Sequence, residues 1–460
     1  MGLDYPCICI QADIKLFIMR TFSINTLGCK VNQYESQQIR QFLEQLGLAQ
    51  AEISDKPDLI VVNTCCVTGA ASAKSRQYIH KAQRINPDAV TIVCGCLPTA
   101  QIGELNGINE NVHIVRHRDS LAAVLTSMAN GDAVSSNGCN INSKNDLPQL
   151  TSFKGQTRAF LKVQDGCDGF CSYCIVPRVR PFVQSKPAQA ALQEAQALVE
   201  AGHREIVITG VFLGAYGRNS VRRKTWANQQ NDKIADLLDR MAQIQNLARI
   251  RLSSLEPADV TPLLLDVFCR HRNIMPHLHL SLQSGSNAVL KRMCRQYTAG
   301  EFREKVELVQ SRLDKPAITT DIIVGFPGET DADFQQTIAL AKEVGFAKMH
   351  IFSFSPRKDT AAAFMQGAVD NRVIKERSLT LRDLEAQLGR AYRQQFVGET
   401  AEILVENSDE QVCGRSERYF MVCLKETGEE PARNEIVRVK LVENGENGMI
   451  GAIQKYKGAT

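Results

Sequence analysis

The order of strand-like and helix-like segments is the feature that most constrains the fold of this chain. Three apolar segments typical of strands, RTFSINTLGC, DLIVVNTC and AVTIVCGCL, alternate with two segments of helical periodicity, NQYESQQIRQFLEQLGL and SAKSRQYIHKAQRINP. This repetition of strand, helix and strand indicates a parallel sheet with right-handed crossovers. We therefore predict an N-terminal α/β domain with a parallel sheet over residues 20–130.

A second and longer α/β region follows a linker. Residues 131–150 lack both periodicity and apolar density, which is typical of a linker. A helix is then predicted from Pro187 to a stop at Gly202, and the strand EIVITG follows it. RIRLSSLEP, HLHLSLQSGS, ITTDIIVGFPGE and KMHIFSFSP supply further strands, each ending in small or polar residues. We predict a partial β/α barrel over residues 151–397, with its active site where the strands end.

The C-terminal part has a different pattern. A last helix is predicted over residues 372–396, and residues 398–457 contain short alternating strands separated by Gly, Asn and Glu turns. This pattern is typical of a small β-barrel. The predicted fold class is therefore α/β, with a parallel-sheet domain, a partial β/α barrel and a C-terminal small β-barrel. The extension over residues 1–19 contains no recognisable motif before a second methionine, Met19, and we expect it to be dispensable for activity or a misassigned start.

Composition narrows the class of protein. A length of 460 residues suggests roughly two to four domains. There is no N-terminal signal and no apolar run of about 18 residues, so we predict a cytoplasmic protein with no membrane partner. In that compartment, the clustered spacing of the 15 cysteines indicates metal ligation. The formal net charge of +4 permits an anionic partner such as RNA but does not require one.

The segment QDGCDGFCSYCIVP brings three cysteines together, namely Cys167, Cys171 and Cys174. Three thiolates on one loop can hold three irons of a four-iron cluster and leave the fourth iron open. The alternative is a zinc site, which a fourth cysteine or histidine normally closes. The residues that follow, IVPRVRPFVQSK, contain neither. We therefore favour the iron–sulfur cluster.

This segment resembles the signature of the radical S-adenosylmethionine superfamily. The resemblance implies that S-adenosylmethionine binds the fourth iron, and that an electron from the cluster releases a 5′-deoxyadenosyl radical. The cofactor supplies the difficult chemistry while the protein orients it. The segments ITG, SSLEP, LSLQSGS and IIVGFPGE stand where the family contacts the methionine amino group, the ribose and carboxylate, and the adenine. The cofactor-binding residues implied in this way are Gly210, Ser254, Glu256, Gln283, Ser284, Gly325 and Glu329.

A second set of cysteines lies in the N-terminal domain. TLGC ends in Cys29, VVNTC in Cys65 and VCGC in Cys96, each at or just past the end of a predicted strand. The carboxyl ends of parallel strands lie along one edge of a sheet, where open α/β folds bind ligands. Lone cysteines in apolar strands are usually small core residues, and we place Cys66 and Cys94 in that class. For the trio, shared ligation is the better interpretation.

The motifs TLGCKVNQYES, VVNTCCVT and GCLPTAQ resemble the N-terminal domain of the methylthiotransferases, and the resemblance covers residues 20–455. It implies a second [4Fe-4S] cluster on the N-terminal trio, again with an open iron, and a C-terminal TRAM domain. The implied reaction removes hydrogen from a C–H bond, inserts sulfur and adds a methyl group from a second S-adenosylmethionine. The cysteines that we leave as structural are Cys7, Cys9, Cys66, Cys94, Cys139, Cys269, Cys294, Cys413 and Cys423.

The exact residues of four motifs indicate the substrate. SSLEP, TGVFLGAYG, HLHLSLQSGS and the Cys-Ser-Tyr-Cys of the triad resemble the branch that acts on N6-threonylcarbamoyladenosine at position 37 of tRNA, next to the anticodon. The resemblance implies tRNA and a reducing electron-donor protein as partners. Two other substrates stay open, namely isopentenyladenosine in tRNA and an aspartate of a ribosomal protein. A further alternative is a non-catalytic RNA-binding protein stabilised by zinc.

Two basic segments could contact tRNA phosphates, although such runs are more often solvated surfaces. They are Lys74, Arg76, Lys81 and Arg84 in a predicted helix, and Arg218, Arg222, Arg223 and Lys224 in a predicted loop. After the triad the family continues with Arg-Gly and then Arg-Ser, whereas Pro181 and Lys186 stand in those places here. We expect the loop that flanks the cofactor to differ accordingly.

Overall fold

The computed structural model describes residues 19–100, 102–105, 111–129, 147–223, 232–408, 411–425 and 431–454. Most of the predicted extension and of the predicted linker lies outside the described residues, as do Lys224, Cys7, Cys9 and Cys139. Within the described chain, no helix is long and apolar enough to cross a membrane.

The N-terminal part is a parallel sheet with helices between its strands. Its elements are β1 (Thr21–Thr26), α1 (Lys30–Gln45), β2 (Ala49–Gln50), β3 (Leu59–Thr64), α2 (Gly69–Ile85), β4 (Val90–Gly95), α3 (Leu97–Ala100), β5 (Val112–Ile114) and α4 (Leu121–Ala129). The strand order is β2-β1-β3-β4-β5, and all neighbouring pairs are parallel, which confirms the prediction. Ile39 and Leu43 of α1 are buried against Phe22 of β1 in the core of this sheet.

Helices and strands also alternate in the central part. Its elements are β6 (Ala159–Asp165), α5 (Val176–Val179), β7 (Gln184–Ser185), α6 (Ala188–Glu200), β8 (Glu205–Gly210), α7 (Lys233–Met241), β9 (Arg249–Leu252), β10 (Ser254–Leu255), α8 (Pro262–Arg270), β11 (His277–Leu280), α9 (Asn287–Arg292), α10 (Ala299–Arg312), β12 (Ala317–Val324), α11 (Asp331–Val344), β13 (Lys348–Ser353) and α12 (Asn371–Gln394). Helix α6 starts just after Pro187 and precedes Gly202, as the sequence predicts.

The central strands form a partial barrel. They lie in the orders β7-β6-β8-β9 and β10-β11-β12-β13, and apart from β7 they are parallel to their neighbours. Ser253 separates β9 from β10 in the chain. Ile250 bonds through its backbone to Asn273 and Met275 at 2.7 and 2.9 Å, which joins the two runs of strands. The parallel strands therefore present their carboxyl ends on one side.

The C-terminal part is a closed β-barrel with the strand order β14-β15-β16-β18-β17. Its strands are β14 (Thr400–Asn407), β15 (Cys413–Ser416), β16 (Met421–Leu424), β17 (Ile436–Asn444) and β18 (Met449–Ile453). This confirms the predicted small β-barrel. Cys413 and Cys423 are register partners on β15 and β16 and are joined by a disulfide. From the sequence we leave both as structural and assign them no pairing, because pairing between strands is invisible in spacing alone.

Two buried arginines attach this barrel to the central part. Arg251 donates to the carbonyl oxygens of Ser416 and Glu417 at 2.7 and 2.9 Å, and Arg249 donates to other barrel carbonyls. The charge of Arg251 is balanced by Glu205, whose carboxylate lies 2.9 Å away. Buried guanidiniums need such partners. These contacts place one turn of the barrel at the edge of the central part.

A polar contact also joins the N-terminal and central parts. The hydroxyl of Tyr34, on α1, donates to the carboxylate of Glu194 on α6 at 2.7 Å. Lys186 pairs with Glu194 and donates to the hydroxyl of Tyr34 at 2.9 Å. Lys186, one of the residues that depart from the family pattern, therefore serves the contact between these two parts of the protein.

Candidate functional site

A cavity of about 550 Å³ lies inside the partial barrel. It is lined by Cys29 and Cys96 of the N-terminal part and by Gly210 and Ser254 of the central strands. Tyr419 of the C-terminal barrel completes the wall. All three parts of the chain therefore contribute to one site.

The cysteines of the N-terminal set gather at the carboxyl edge of their sheet. Cys29 caps the start of α1, Cys65 directly follows β3 and Cys96 directly follows β4. Strands β1, β3 and β4 are neighbours, so these three positions lie side by side. The thiols are close enough to influence one another, because the charges of Cys96 and Cys29 both raise the pKa of Cys65. Segments far apart in sequence thus form one thiol set.

Two glycines permit this approach. Gly28 has a φ of +104°, and a Cβ built there would lie 2.6 Å from the Cβ of Cys65. Gly95 has a φ of +90°, and a Cβ there would lie 2.4 Å from the carbonyl oxygen of Thr64. Both separations are shorter than real Cβ atoms allow, and both φ values favour glycine. The backbone beside two of the three cysteines therefore requires glycine.

The three thiols of this set differ in acidity. Burial raises the pKa of Cys29, and it raises the pKa of Cys65 to about 11. By contrast, a hydrogen bond from the Cys66 thiol lowers the pKa of Cys96, and the positive charge of Arg180 lowers it further against the effect of burial. Since a thiolate is the form that binds metal, Cys96 is the thiol most ready to act as a ligand.

Arg180 connects the two cysteine sets. Its guanidinium lies close enough to Cys96 to lower the pKa of that thiol, and its backbone carbonyl accepts the N–H of Cys167 at 2.8 Å. The same guanidinium donates to the carboxylate of Glu35 at 2.7 and 2.8 Å and to that of Asp165 at 2.9 and 3.0 Å. One arginine side chain thus holds the triad loop against the N-terminal sheet.

Glu35, on α1, is the centre of this ionic network. Lys162 donates to its carboxylate at 2.9 Å, and Arg118 also pairs with it. Burial opposes the ionisation of Glu35, but the charges of Arg118, Arg180 and Lys162 hold its pKa well below its usual range. The carboxylate is therefore charged throughout the physiological pH range, as a buried partner of several cations must be.

The triad loop is held by donors to its sulfur atoms. The N–H of Gly169 donates to Cys167 Sγ at 3.3 Å, and the Arg295 guanidinium donates to Cys171 Sγ at 3.3 Å. Arg295 also pairs with Glu256 at 2.6 Å. Charge-assisted donors of this kind stabilise thiolates. The loop therefore supplies the thiols and the N–H of Gly169, whereas the charged donor Arg295 comes from the segment after α9.

Gly166 determines how this loop closes. Its φ is +76°, and a Cβ there would lie 1.8 Å from the carbonyl oxygen of Phe182. Phe182 follows Pro181, where the chain departs from the family pattern. The strand that precedes the triad and the segment that follows it are thus in backbone contact, which only glycine permits.

The spacing of the thiols tests which metal group they fit. A zinc ion with Zn–S bonds of about 2.3 Å holds its thiolates about 3.8 Å apart. Within the described residues, neither cysteine set brings three sulfur atoms within 4.8 Å of one another. A four-iron cluster holds its thiolates on separate corners and does not require three sulfur atoms to lie that close together. Burial raises the pKa of Cys171, and it raises the pKa of Cys167 to about 11 and of Cys174 to about 12.

Of the predicted cofactor contacts, Gly210 and Ser254 line the cavity. Glu256 is buried, and its carboxylate is paired with Arg295 and with Arg223 at 3.1 Å. Gln283 has a φ of +65°, and its backbone bonds to β12. Arg223, one of the basic residues of the predicted loop that could contact tRNA phosphates, therefore has an internal partner.

The other predicted contacts have partners within the protein. The Ser284 hydroxyl accepts the N–H of Ser286 at 3.2 Å. A Cβ on Gly325 would lie 2.3 Å from Ile374, so helix packing alone requires glycine there. Glu329 pairs with Arg377 at 2.6 Å and accepts the N–H of Gly325 at 2.8 Å. A role of these residues in cofactor binding stays a prediction.

A polar group on the cavity wall was not anticipated from the sequence. His279, Asp321 and His350 lie on the neighbouring strands β11, β12 and β13, and their side-chain ligand atoms lie within 4.8 Å of one another. His279 Nε2 is 3.3 Å from Asp321 Oδ2. The alternation HLHL gave a signal, because residues two apart in a strand share a face. The alternation does not show which strands are neighbours in the sheet.

Tyr419 was also missed. Its ring stacks on that of His277, with centroids 4.1 Å apart and planes at 7°. Its φ is +74°, which a tight turn between β15 and β16 imposes. No local motif distinguishes this tyrosine, since it reaches the cavity only because Arg251 holds that turn in place.

Comparison with known proteins identifies two sequence profiles in the chain. Residues 21–116 match the profile described as uncharacterized protein family UPF0004, and residues 161–341 match the radical SAM superfamily. Among solved structures, the radical S-adenosylmethionine methyltransferase TsrM from Kitasatospora setae, with cobalamin and a [4Fe-4S] cluster bound, is similar with a TM-score of 0.54 at 14% identity. That match covers 75% of this chain and 77% of that chain, and it shows the fold.

Curated relatives match over most of their length. The chain is 36% identical over 438 residues to the threonylcarbamoyladenosine tRNA methylthiotransferase MtaB of Chlamydia pneumoniae, covering 94% of this chain and 98% of that protein. It is 35% identical to the protein of the same name from Bacillus subtilis, covering 93% and 95%. It is 31% identical to the tRNA-2-methylthio-N(6)-dimethylallyladenosine synthase of Bacillus velezensis, covering 92% and 83%.

Proposed function

Because this chain belongs to the radical S-adenosylmethionine methylthiotransferase family, we propose that it converts N6-threonylcarbamoyladenosine at position 37 of tRNA into its 2-methylthio derivative. The observation that carries the proposal is the shared cavity, which Cys29 and Cys96 line together with Gly210 and Ser254. A base bound there contacts the sulfur-bearing edge of the N-terminal sheet and the strand ends of the radical fold at once. The identities of 36% and 35% to relatives named for this substrate support the choice of nucleoside.

The cluster ligands follow from the two thiol sets. Cys167, Cys171 and Cys174 are proposed to hold a [4Fe-4S] cluster that S-adenosylmethionine completes, and Cys29, Cys65 and Cys96 to hold a second [4Fe-4S] cluster. When bound, these groups supply hydrogen-atom abstraction, sulfur and a methyl group.

The protein's own task is to hold the thiols as thiolates and to keep the reacting region away from water. Arg295 donates to Cys171, and the positive charge of Arg180 lowers the pKa of Cys96. Each arginine is held by a carboxylate, Glu256 in one case and Glu35 in the other. A cation beside a thiol favours the ionised form. These arginines are therefore proposed as positioning residues for the two sites.

The proposed partners are tRNA and a reducing protein that donates electrons, both in the cytoplasm. Lys74, Lys81 and Arg84 are exposed on α2 and are proposed to meet tRNA phosphates. The small C-terminal barrel is proposed to grip the RNA as well. The division into units at residues 20–130, 151–397 and 398–457 is supported by the separate sheets of the three parts.

The alternatives receive less support. The relative named for dimethylallyladenosine is 31% identical, below the relatives named for threonylcarbamoyladenosine. The absence of a cysteine or histidine from the residues that follow the triad, IVPRVRPFVQSK, argues against a zinc-stabilised RNA-binding protein, because a structural zinc site is normally closed by a fourth such ligand.

Nucleoside analysis tests the substrate. A strain that lacks this protein should lose 2-methylthio-N6-threonylcarbamoyladenosine from its tRNA, as measured by mass spectrometry, and should regain it when the gene is restored. Unchanged levels of that nucleoside, with loss of 2-methylthio-isopentenyladenosine instead, would refute the proposed substrate.

Two cysteine variants test the proposed division of labour. We expect Cys174→Ala to abolish S-adenosylmethionine cleavage and Cys65→Ala to retain cleavage but block sulfur insertion. In each variant the iron content should fall from about eight to about four per chain, from two cubanes to one. Cys269→Ala is the control, since Cys269 is exposed and belongs to neither set. Equal loss of both activities in Cys65→Ala would contradict separate roles.

A further inference from the structure

Lys30 is an unusual residue on the wall of the central cavity. It is the first residue of α1, next to Cys29, and it lines the cavity. Within the described chain Lys30 forms no ion pair. Three other cations on this wall, Arg158, Arg180 and Arg251, are each paired with a glutamate. Of these four cations, Lys30 is therefore the one that is not paired with a carboxylate of the described chain.

The charge of Lys30 acts on the surrounding cavity. Burial is the main reason that the pKa of His350 is lowered, and the charge of Lys30 adds to this effect. Burial opposes the ionisation of Tyr419, but the charges of Arg415, Arg158 and Lys30 together lower its pKa. The ammonium thus lies where β13 and the C-terminal barrel face the N-terminal helix. The N-terminus of α1 adds a further positive potential at this point.

Hydrogen-bonding groups of the central strands lie on the same wall. Asp321 and His350 are register partners, and His279 lies beside Asp321 on the next strand. The hydroxyl of Thr319 is 3.0 Å from His279 Nδ1 and 3.1 Å from His277 Nε2. Because Thr319 engages Nδ1 of His279, Nε2 is the nitrogen that faces Asp321. This wall offers fixed donors and acceptors beside a cation.

Such a wall discriminates between the two nucleosides that remain as candidates. A dimethylallyl group is apolar and would leave the cation and these polar groups without partners, which is costly inside a cavity. A threonylcarbamoyl group carries a carboxylate, a hydroxyl and ureido nitrogens. Sites built to pair polar groups reject analogues that lack them far more strongly than apolar pockets reject an extra methylene.

We propose that Lys30 binds the carboxylate of the threonylcarbamoyl substituent, while His279, Asp321 and His350 face its hydroxyl and ureido groups. This inference rests on the proposed function and names the residues that select the substrate. Asp321 accepts hydrogen bonds from the hydroxyl and ureido N–H groups, while the carboxylate of the substituent faces Lys30. Lys30 is accordingly a specificity-determining residue of the cavity.

The test compares an RNA that carries the carboxylate with an RNA in which the carboxylate has been consumed by ring closure. The first is an anticodon stem-loop with N6-threonylcarbamoyladenosine. The second is the same RNA after carbodiimide has closed the carboxylate onto the ureido nitrogen, with loss of water. For Lys30→Met we expect kcat/KM and affinity for the charged RNA to fall roughly 10- to 100-fold, the range for a charged hydrogen bond. Values for the uncharged RNA should change little, and Lys30→Arg should retain most of the preference for charge.

Controls separate recognition from structure. Lys342→Met removes an exposed lysine on α11 and should behave as the wild type with both RNAs. An equal loss for the charged and uncharged RNAs in Lys30→Met would show a structural role and overturn the inference. A metal ion at His279, Asp321 and His350 is the other group that could bind the carboxylate. If EDTA removes the preference of the cluster-loaded enzyme for the charged RNA and Mn²⁺ restores it, the carboxylate binds that metal ion, and the proposed role of Lys30 is overturned.

The two proposals fail in different ways. A wild-type enzyme that modifies an RNA with dimethylallyladenosine and neither of the test RNAs would refute the proposed function, and this inference with it. A wild-type enzyme that prefers the charged RNA, together with a Lys30→Met variant of unchanged preference, would refute only the role of Lys30.

Discussion

Replacing Glu35 with glutamine tests whether the ionic network holds the two cysteine-bearing parts together. The substitution keeps the size of the side chain and removes its charge. Glu35 is 6% exposed and pairs with Arg180 at 2.7 Å, with Lys162 at 2.9 Å and with Arg118. Breaking a buried ion pair costs about 3–5 kcal/mol. We expect about 3 kcal/mol here, because Asp165 still lies 2.6 Å from Lys162 and 2.9 Å from Arg180.

The loss should appear in thermal and urea denaturation of the cluster-free protein. For a cooperative unit of about 150–250 residues, about 3 kcal/mol corresponds to a fall of roughly 6–12 °C in Tm. The pKa of Glu35 is depressed, so its contribution is fully present above the unfolded-state value and is lost only as pH falls through the lower folded-state value. The difference between wild type and Glu35→Gln should therefore stay constant from pH 8 to pH 5.

The matched control lies on the same helix. Glu44 also pairs with two cations, Arg40 at 2.7 Å and Lys154 at 2.9 Å, but its side chain is 28% exposed. Arg40 is buried, but Lys154 is exposed and a glutamine amide oxygen can still accept the hydrogen bond of Arg40, so Glu44→Gln should lower Tm less than Glu35→Gln does. Equal shifts in the two variants, or a Glu35→Gln protein as stable as the wild type, would refute the argument that burial gives this network its strength.

Two further outcomes are expected. Gly166→Ala should lower iron loading of the radical site, because the added Cβ would lie 1.8 Å from the carbonyl oxygen of Phe182. Gly47 also has a positive φ but has open space around it, so Gly47→Ala should leave iron loading unchanged. Iron determination checks both, and normal loading in Gly166→Ala would contradict the steric reasoning. Burial raises the pKa of Cys167 to about 11 and of Cys174 to about 12, so metal binding must displace protons from these thiols. Reconstitution of the cluster should therefore release acid, and it should proceed further at pH 9 than at pH 7. A pH-stat titration measures this, and the absence of proton release would count against it.

Local pattern was sufficient for much of the fold. The alternation of strands and helices predicted the parallel N-terminal sheet, and Pro187 and Gly202 marked the bounds of α6. Predictions of this kind succeed because periodicity and helix ends depend on residues a few positions apart. The same reasoning left Cys413 and Cys423 as structural residues and assigned them no pairing, since the register of β15 and β16 depends on the whole barrel.

The sequence by itself determined the chemistry of the site, because three thiols in a short loop and three at strand ends are set by local spacing and by the shared edge of a parallel sheet. The tertiary structure alone decided which charges serve that chemistry. Glu35 meets Arg180 across 145 positions of the chain, and Tyr419 reaches the cavity from a separate barrel. Ion pairs and cavity walls join segments that only packing brings together, so no local pattern records them.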